Sequence, residues 1–411
     1  MSKRILFLSW VDVVHPLKEY YVNSGNLVFY TAGASYFWNQ NTTYITIDEI
    51  EKKLVEDKNW AKNNFDLVIT MECDIFKELF IGWMERETEI YKNIGLPVFV
   101  LGAGANFSVD YQISYSQKLA ETIKNYIGCI LDGGGNVTLR GNFTEFFLEK
   151  IGFNNLFVSG CPSVFLRGKN TCIAEKVSRE NFLPAFNARA AQCISERLYE
   201  NYPNSKFIDQ SVYFDILYHP ETLYVERIKS LRTIVKKLYI EDRIYGDMNY
   251  VPLVDEIKKQ NYNFSYGEKL HGNILFLQLN KPCFIKVIDS RVREVCEFFK
   301  IPNSFDIQFD ENRDDLYELY NSLDFSDFNV RYQNAYTAFK LFLEKNEIPN
   351  NLEKTDGYFS YMKSFEYYDY RMDSTVIKNK IEAVKKSNQS HISIYENRSL
   401  HIFVVMEFLI I

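Results

Sequence analysis

The sequence predicts an α/β fold: two Rossmann-like domains facing each other across a cleft, followed by a C-terminal extension. Three observations carry this. Short apolar runs alternate with helical patterns of about a dozen residues or more, the signature of a parallel sheet with crossover helices. The alternation occurs twice, interrupted by a stretch without periodicity over about Leu166–Pro184. A chain of 411 residues also exceeds one comfortable domain and fits two with a remainder. The expected division is 1–165, 166–330 and an extension over 331–411.

In the first half, strands are expected at Lys3–Leu8, Tyr44–Ile47, Asp66–Met71 and Pro97–Leu101, with further short ones at Cys129–Leu131, Val137–Arg140 and Leu156–Ser159. Helical patterns separate them: an amphipathic stretch at Asn26–Trp38, then Glu49–Lys62, Phe76–Tyr91 and Tyr115–Tyr126. The second half reads as helices near Arg189–Tyr202, Tyr224–Tyr239 and Val251–Gln260, a strand at Tyr262–Tyr266, and the helix Asn273–Leu279. The strand Cys283–Ile288 and helix Arg291–Phe299 follow, and the helix Arg331–Asn346 is expected to cross back onto the first domain. Beyond Pro349 come a Tyr- and Phe-rich segment, a charged helix at Val376–Lys386 and an apolar end, His401–Ile411.

Composition narrows the function. A hydrophobic fraction of 46% with 25% charged residues is that of a globular protein with a full core. A net charge of -7 argues against a general nucleic-acid binder, which needs a basic field to meet phosphate. Seven scattered cysteines without CxxC or zinc-type spacing read as free thiols in a reducing compartment, and no metal is inferred. The opening MSKRILFLSW has too brief an apolar run for a signal peptide, and no stretch approaches a bilayer span. The expected location is cytoplasmic, with the inner face of the membrane as the variant. The apolar end leaves burial, a homo-oligomer contact and a peripheral membrane contact open.

Three local patterns carry candidate chemistry. Gly267-Glu268-Lys269-Leu270-His271-Gly272-Asn273 lies where a strand stops and a helix begins, the favoured ligand position of an open parallel sheet. If the strand continued to His271, Lys269 and His271 would face the same side beside a helix N-terminus, making an anion site with a proton donor. The plainer alternative has His271 capping the helix and Lys269 in solvent. Arg140, at the end of Val137–Arg140, is placed to grip a carboxylate or phosphate, unless it pairs at the surface with an acid such as Glu145. Asn23-Ser24-Gly25-Asn26 opens the first helix, where tight backbone approach or a simple N-cap would both explain it. The glycines of Gly102-Ala103-Gly104 and Gly133-Gly134-Gly135 give no dinucleotide fingerprint.

Taken together and in order, these segments resemble the polysaccharide pyruvyl transferase family. The resemblance rests on the NSGN turn at Asn23–Asn26, LRGNFTEFFLEKIG at Leu139–Gly152, VSGCPS at Val158–Ser163 and YGEKLHGNILFLQLNKPCFIKVIDSRVREVCEFFKIP at Tyr266–Pro302, and it covers about residues 1–345. It implies a GT-B-type fold and a transferase moving the pyruvyl unit of phosphoenolpyruvate onto sugar hydroxyls of a cell-surface polysaccharide or its precursor, without a bound cofactor. The implied partners are phosphoenolpyruvate as co-substrate and a saccharide or lipid-linked saccharide acceptor. The family's donor-site arginine falls on Arg140 and its Arg-Leu-His triplet on Lys269-Leu270-His271, with Gly272 and Asn273 beside them. Lysine in place of the triplet's arginine keeps the charge and loses the planar fork.

On that basis His271 is the expected general acid/base, and Asn23, Gly25, Asn26 and His15 are the acceptor-side candidates. Arg291 and Arg293 either assist the donor or pair with Glu294 and Glu297. A sugar-nucleotide glycosyltransferase on the same scaffold, or a non-catalytic member of a polysaccharide-assembly complex, are the competing readings.

Overall fold

The computed structural model describes residues 3–17, 23–174, 176–218, 225–367 and 374–390. His219, His391, His401 and the apolar end 401–411 lie outside the described residues. The first sheet has six parallel strands: β1 (Ile5–Ser9), β2 (Thr42–Thr46), β3 (Leu67–Met71), β4 (Val98–Ala103), β5 (Asn136–Leu139) and β6 (Phe157–Val158). Their spatial order is β2-β1-β3-β4-β5-β6, so the chain reverses its direction of winding between β1 and β3. The second sheet has five parallel strands: β7 (Pro184–Phe186), β8 (Phe207–Asp209), β9 (Ile244–Gly246), β10 (Phe264–Gly267) and β11 (Cys283–Ile285), ordered β11-β10-β7-β8-β9. This is the α/β architecture expected, with two parallel sheets. β1, β3 and β4 are buried at every position, as strands covered by helices on both faces must be.

Several elements differ from the sequence reading. Cys129–Leu131 is not a strand; it is the last turn of the helix Gln117–Asp132, ended by the Gly133–Gly135 turn. The helix Ser24–Phe37 is not amphipathic. Only Asn26 is exposed, because the helix lies between its own sheet, the Pro162–Asn170 segment, the helix Leu270–Gln278 and the extension. A helix apolar on all sides is a buried one. The expected helix Arg189–Tyr202 is a short 3₁₀ turn plus Glu196–Asn201.

The helix Ser326–Lys345 stacks Phe342 on Phe157 of β6 at 5.0 Å and Phe339 on Phe165 at 5.4 Å, so it crosses back to the first sheet. The extension then anchors to the first half. The Tyr358 hydroxyl donates to the Val13 carbonyl at 2.6 Å, and Tyr361 stacks on Trp38 at 4.7 Å. Among the described residues no helix is long and apolar enough to cross a membrane.

Candidate functional site

The carboxyl edges of the two sheets meet around Phe29, a residue of the central helix Ser24–Phe37. Arg140 comes from the first sheet, directly after β5, with its backbone N–H bonded to the Ala103 carbonyl at 2.9 Å. Its guanidinium carbon sits 5.7 Å from the centre of the Phe29 ring. His271 comes from the second domain, in the first turn of the helix Leu270–Gln278, and its ring lies 5.5 Å from the same Phe29 ring. The two groups therefore flank one aromatic side chain, and both border the Cys161 thiol.

Arg140 is the outstanding feature. It is 0% exposed, and its Nε and both Nη atoms have no hydrogen-bond partner. The surface pairing with Glu145 does not occur. Asp74 and Glu294 meet its charge only electrostatically, without a direct bond, and a buried guanidinium with unsatisfied donors is unfavourable. Space for the side chain comes from Gly104: a Cβ there would sit 2.8 Å from the Cys73 carbonyl oxygen and 3.4 Å from Arg140 Cδ.

Arg291, second residue of the helix Ser290–Phe299, stands close enough to Arg140 and His271 to act on both electrostatically. One Nη atom is 3.3 Å from Asp289 and the other 3.6 Å from Asp74, and its Nε has no partner. Asp74 follows β3 and also receives Lys77 Nζ at 2.7 Å. Although burial opposes ionisation, Arg291 and Lys77 hold the Asp74 carboxyl well below the usual carboxylate range. Arg293, in contrast, pairs with Glu297 at 2.7 Å and stacks on Tyr111 and Phe305.

The strand end at β10 is built differently from the expected continuation. Gly267 turns at φ +145, where a Cβ would lie 2.2 Å from the Asn187 carbonyl oxygen; glycine is required there. Lys269 is then the N-cap of the following helix and His271 lies within its first turn, so strand alternation does not orient them. Burial pushes the Lys269 ammonium down to about 8, opposed by Asp209 at the end of β8. Asp209, whose carboxylate accepts the Val212 and Tyr213 backbone N–H groups, is itself pushed up to about 6 by burial. Burial, with Arg140 and Arg291 nearby, lowers the proton affinity of the His271 imidazole, against the opposing effect of Cys161.

The other expected site residues divide. Leu270 is buried in the core. Asn273 does not offer its amide to a ligand: the nitrogen donates to the Gly267 and Lys269 carbonyls at 3.2 and 2.8 Å, and the oxygen accepts from Ser265 Oγ at 2.6 Å. Gly272 is a packing glycine, since a Cβ would meet Gln210 Nε2 at 2.1 Å and Asn187 Oδ1 at 2.5 Å. Asn23 is the N-cap of its helix and accepts from the Gly25 backbone N–H at 2.8 Å. Gly25 brings that turn to the site: a Cβ would be 2.5 Å from Gln210 Oε1 and 3.5 Å from His271 Cβ. Asn26 is exposed. His15 is also exposed, its Nδ1 2.8 Å from Asp12 and its ring against Phe365 of the extension, not against the groups around Phe29.

Among the residues that escaped the sequence reading are Asn187, Asp209 and Gln210. They follow or end β7 and β8, strands of three residues each, and Gln210 joins the domains by accepting the Ser24 backbone N–H at 2.9 Å. Among the described residues no group of three or more His, Cys, Asp or Glu is placed to hold a metal ion.

Two parallel sheets thus bring a guanidinium from the first and an imidazole from the second together beside one aromatic ring at their carboxyl edges, the position where open α/β sheets take ligands. The model of the polysaccharide pyruvyl transferase family matches residues 17–290, and the chain belongs to that family. No curated protein matches the sequence. Among solved structures, the chain is similar to an uncharacterised protein of Klebsiella pneumoniae, with 15% identity over 72% of this chain and 88% of that one, at a TM-score of 0.37. HepE of Anabaena, solved with UDP and glucose, is 9% identical over 94% of this chain and 100% of its own, at a TM-score of 0.36. MnaA of S. aureus, solved with UDP, is 9% identical over 97% and 100%, at a TM-score of 0.40.

Proposed function

We propose that this member of the family transfers the pyruvyl unit of phosphoenolpyruvate onto two hydroxyls of a saccharide, forming a ketal, with phosphoenolpyruvate as co-substrate and no bound cofactor. The observation that carries the reading is the Arg140 guanidinium, buried without a hydrogen-bond partner, beside the same Phe29 ring as His271. Arg140 and Arg291 suit the carboxylate and phosphate of a small dianion or trianion, because a guanidinium fork pairs with either group bidentately. Lys269 adds a third cation whose proton is loosely held.

Two sugar hydroxyls bond in turn to C2 of the donor while the C2–O bond to phosphate breaks. Of the two hydroxyl protons lost, one is balanced by protonation of the C3 methylene to methyl and the other leaves with phosphate. His271, neutral before the donor arrives, takes the hydroxyl proton and can return it to carbon; such acid–base help is worth about 10²–10⁴ in rate. The acceptor is a polysaccharide precursor, free or lipid-linked, approaching from the Asn23–Asn26 side, and the work is done in the cytoplasm or at the inner membrane face.

The test is donor consumption. The protein is incubated with a saccharide panel and either phosphoenolpyruvate or a set of sugar nucleotides, and released phosphate or nucleoside diphosphate is measured. Phosphate release with a mass gain of one pyruvyl ketal on the acceptor supports the reading. Consumption of a sugar nucleotide alone replaces it with a glycosyltransferase.

A further inference from the structure

Cys161 lies where the two halves touch the proposed proton carrier, and its placement is rigid. Gly160 before it turns at φ +77 against Phe298 and Phe299, where a Cβ would come within 2.4 Å of the Phe298 ring. Pro162 after it packs on Gly102 and accepts the Tyr36 hydroxyl at its carbonyl at 2.6 Å. The thiol between them is 0% exposed. Its sulfur is 3.0 Å from Ser163 Oγ and 3.9 Å from His271 Nε2. Among the described residues that is the one side-chain hydrogen bond His271 has.

We infer that Cys161 is a positioning residue for His271: its thiol holds Nε2, fixes which ring nitrogen is free, and sets how readily the imidazole takes and returns a proton. The inference rests on the proposed role of His271. The physical argument is a choice of partner. A carboxylate beside an imidazole stabilises the imidazolium and makes a strong, fixed base. A neutral thiol is a weak donor and acceptor and does not lock the positive form.

The groups around the pair act in the same direction. Arg140 from the end of β5 and Arg291 from the helix Ser290–Phe299 both disfavour a protonated ring, and the Phe29 ring beside it is uncharged. Arg140 and the imidazole also favour loss of the Cys161 proton, against its burial. At 3.9 Å the sulfur holds the ring without locking it in its protonated form, which suits a group that must both accept a hydroxyl proton and release it to carbon.

The experiment titrates His271 in the full chain by NMR, assigning its signal with His271→Gln, in wild type, Cys161→Ser, Cys161→Ala and Cys161→Asp. The pH profile of kcat is recorded alongside. Expected results are an imidazole midpoint raised by about one unit or more in Cys161→Asp, as a neighbouring carboxylate dictates. In Cys161→Ala, kcat falls by about 10-fold or more with KM for phosphoenolpyruvate nearly unchanged, and Cys161→Ser recovers most of the loss. Titration curves and kcat profiles that superimpose on wild type in Cys161→Ala and Cys161→Asp overturn the inference. If the wild type consumes no phosphoenolpyruvate, the proposed reaction falls, and the titration, which needs no turnover, still decides the role of Cys161.

Discussion

Two buried arginines, one at an edge of each sheet, show how differently the two ends of an α/β domain are used. Arg243 stands at the amino end of β9 and is saturated. Its Nε donates to the Ser205 carbonyl at 2.9 Å, and its Nη atoms reach the Tyr199 and Tyr202 carbonyls, each at 2.9 Å, and Glu241 at 3.2 Å. Arg140 stands at the carboxyl end of β5, is buried more completely, and donates to nothing. Each lies over an aromatic ring at a similar distance, Tyr199 at 5.5 Å and Phe29 at 5.7 Å. Burial alone therefore does not distinguish these two arginines; the state of their donors does. The satisfied group stabilises the fold, and the unsatisfied one costs stability that a ligand can return.

The largest effect is expected at the carboxyl edge: His271→Ala lowers turnover by about 10²–10⁴-fold at saturating donor and acceptor, read by phosphate release. Near-normal turnover would remove His271 from the chemistry. Arg140→Gln should weaken phosphoenolpyruvate binding by about 10²-fold or more, the scale of a lost charge-assisted bidentate contact, measured by calorimetry. The melting temperature of the ligand-free protein should be equal or higher in the same variant, because a buried guanidinium with three unsatisfied nitrogens has gone. Arg243→Gln should do the reverse, costing about 3 kcal/mol of stability through carbonyls left unpaired, with donor affinity unchanged if the variant folds. Should both substitutions lower stability alike, the distinction between the two edges is wrong.

A smaller gain, several-fold in donor affinity, is expected from Lys269→Arg, since the planar fork returns and the charge no longer titrates near neutrality. The smallest effect is on stability against pH. Burial pushes Glu87 and Glu294 up to about 7, above the ordinary glutamate value near ~4.3. Between those values the folded protein binds more protons than the unfolded chain, so this contribution to stability is present at low pH and is lost as pH rises through about 7. Melting temperature should fall from pH 5 to pH 8, and Glu87→Gln or Glu294→Gln should each flatten part of that fall.

How far the molecule could be read from its residues follows from strand length. β1, β3 and β4 announce themselves as continuous apolar runs, because each is covered on both faces. β7, β8 and β9 have three residues each, too short for any periodicity, and their tertiary partners alone make them strands. The same brevity hid Asn187, Asp209 and Gln210, whose place beside the β10 end comes from β7 lying next to β10 and β8 next to β7. Cys129–Leu131 misled in the opposite sense: three apolar residues before a glycine turn look like a strand until the buried positions Ile123, Tyr126, Ile127 and Ile130 show helical spacing.

The placement of Arg140, Lys269 and His271 was legible because each ends a strand or opens a helix near a glycine. That Arg140 would be enclosed without a partner was not, since it depends on Gly104, Phe29 and a second domain folding over it. Asn273 shows the converse. An asparagine at a helix start reads as ligand-facing, yet the sharp turn at Gly267 leaves carbonyls that claim its amide.

That Arg140 holds the donor is decided by a crystal structure of the protein with phosphoenolpyruvate. The donor's carboxylate or phosphate should lie with an oxygen about 2.7–2.9 Å from the Arg140 guanidinium nitrogens, with His271 on the far side of the bound molecule from solvent. A donor seated elsewhere, with Arg140 still enclosed and unpaired, would contradict it.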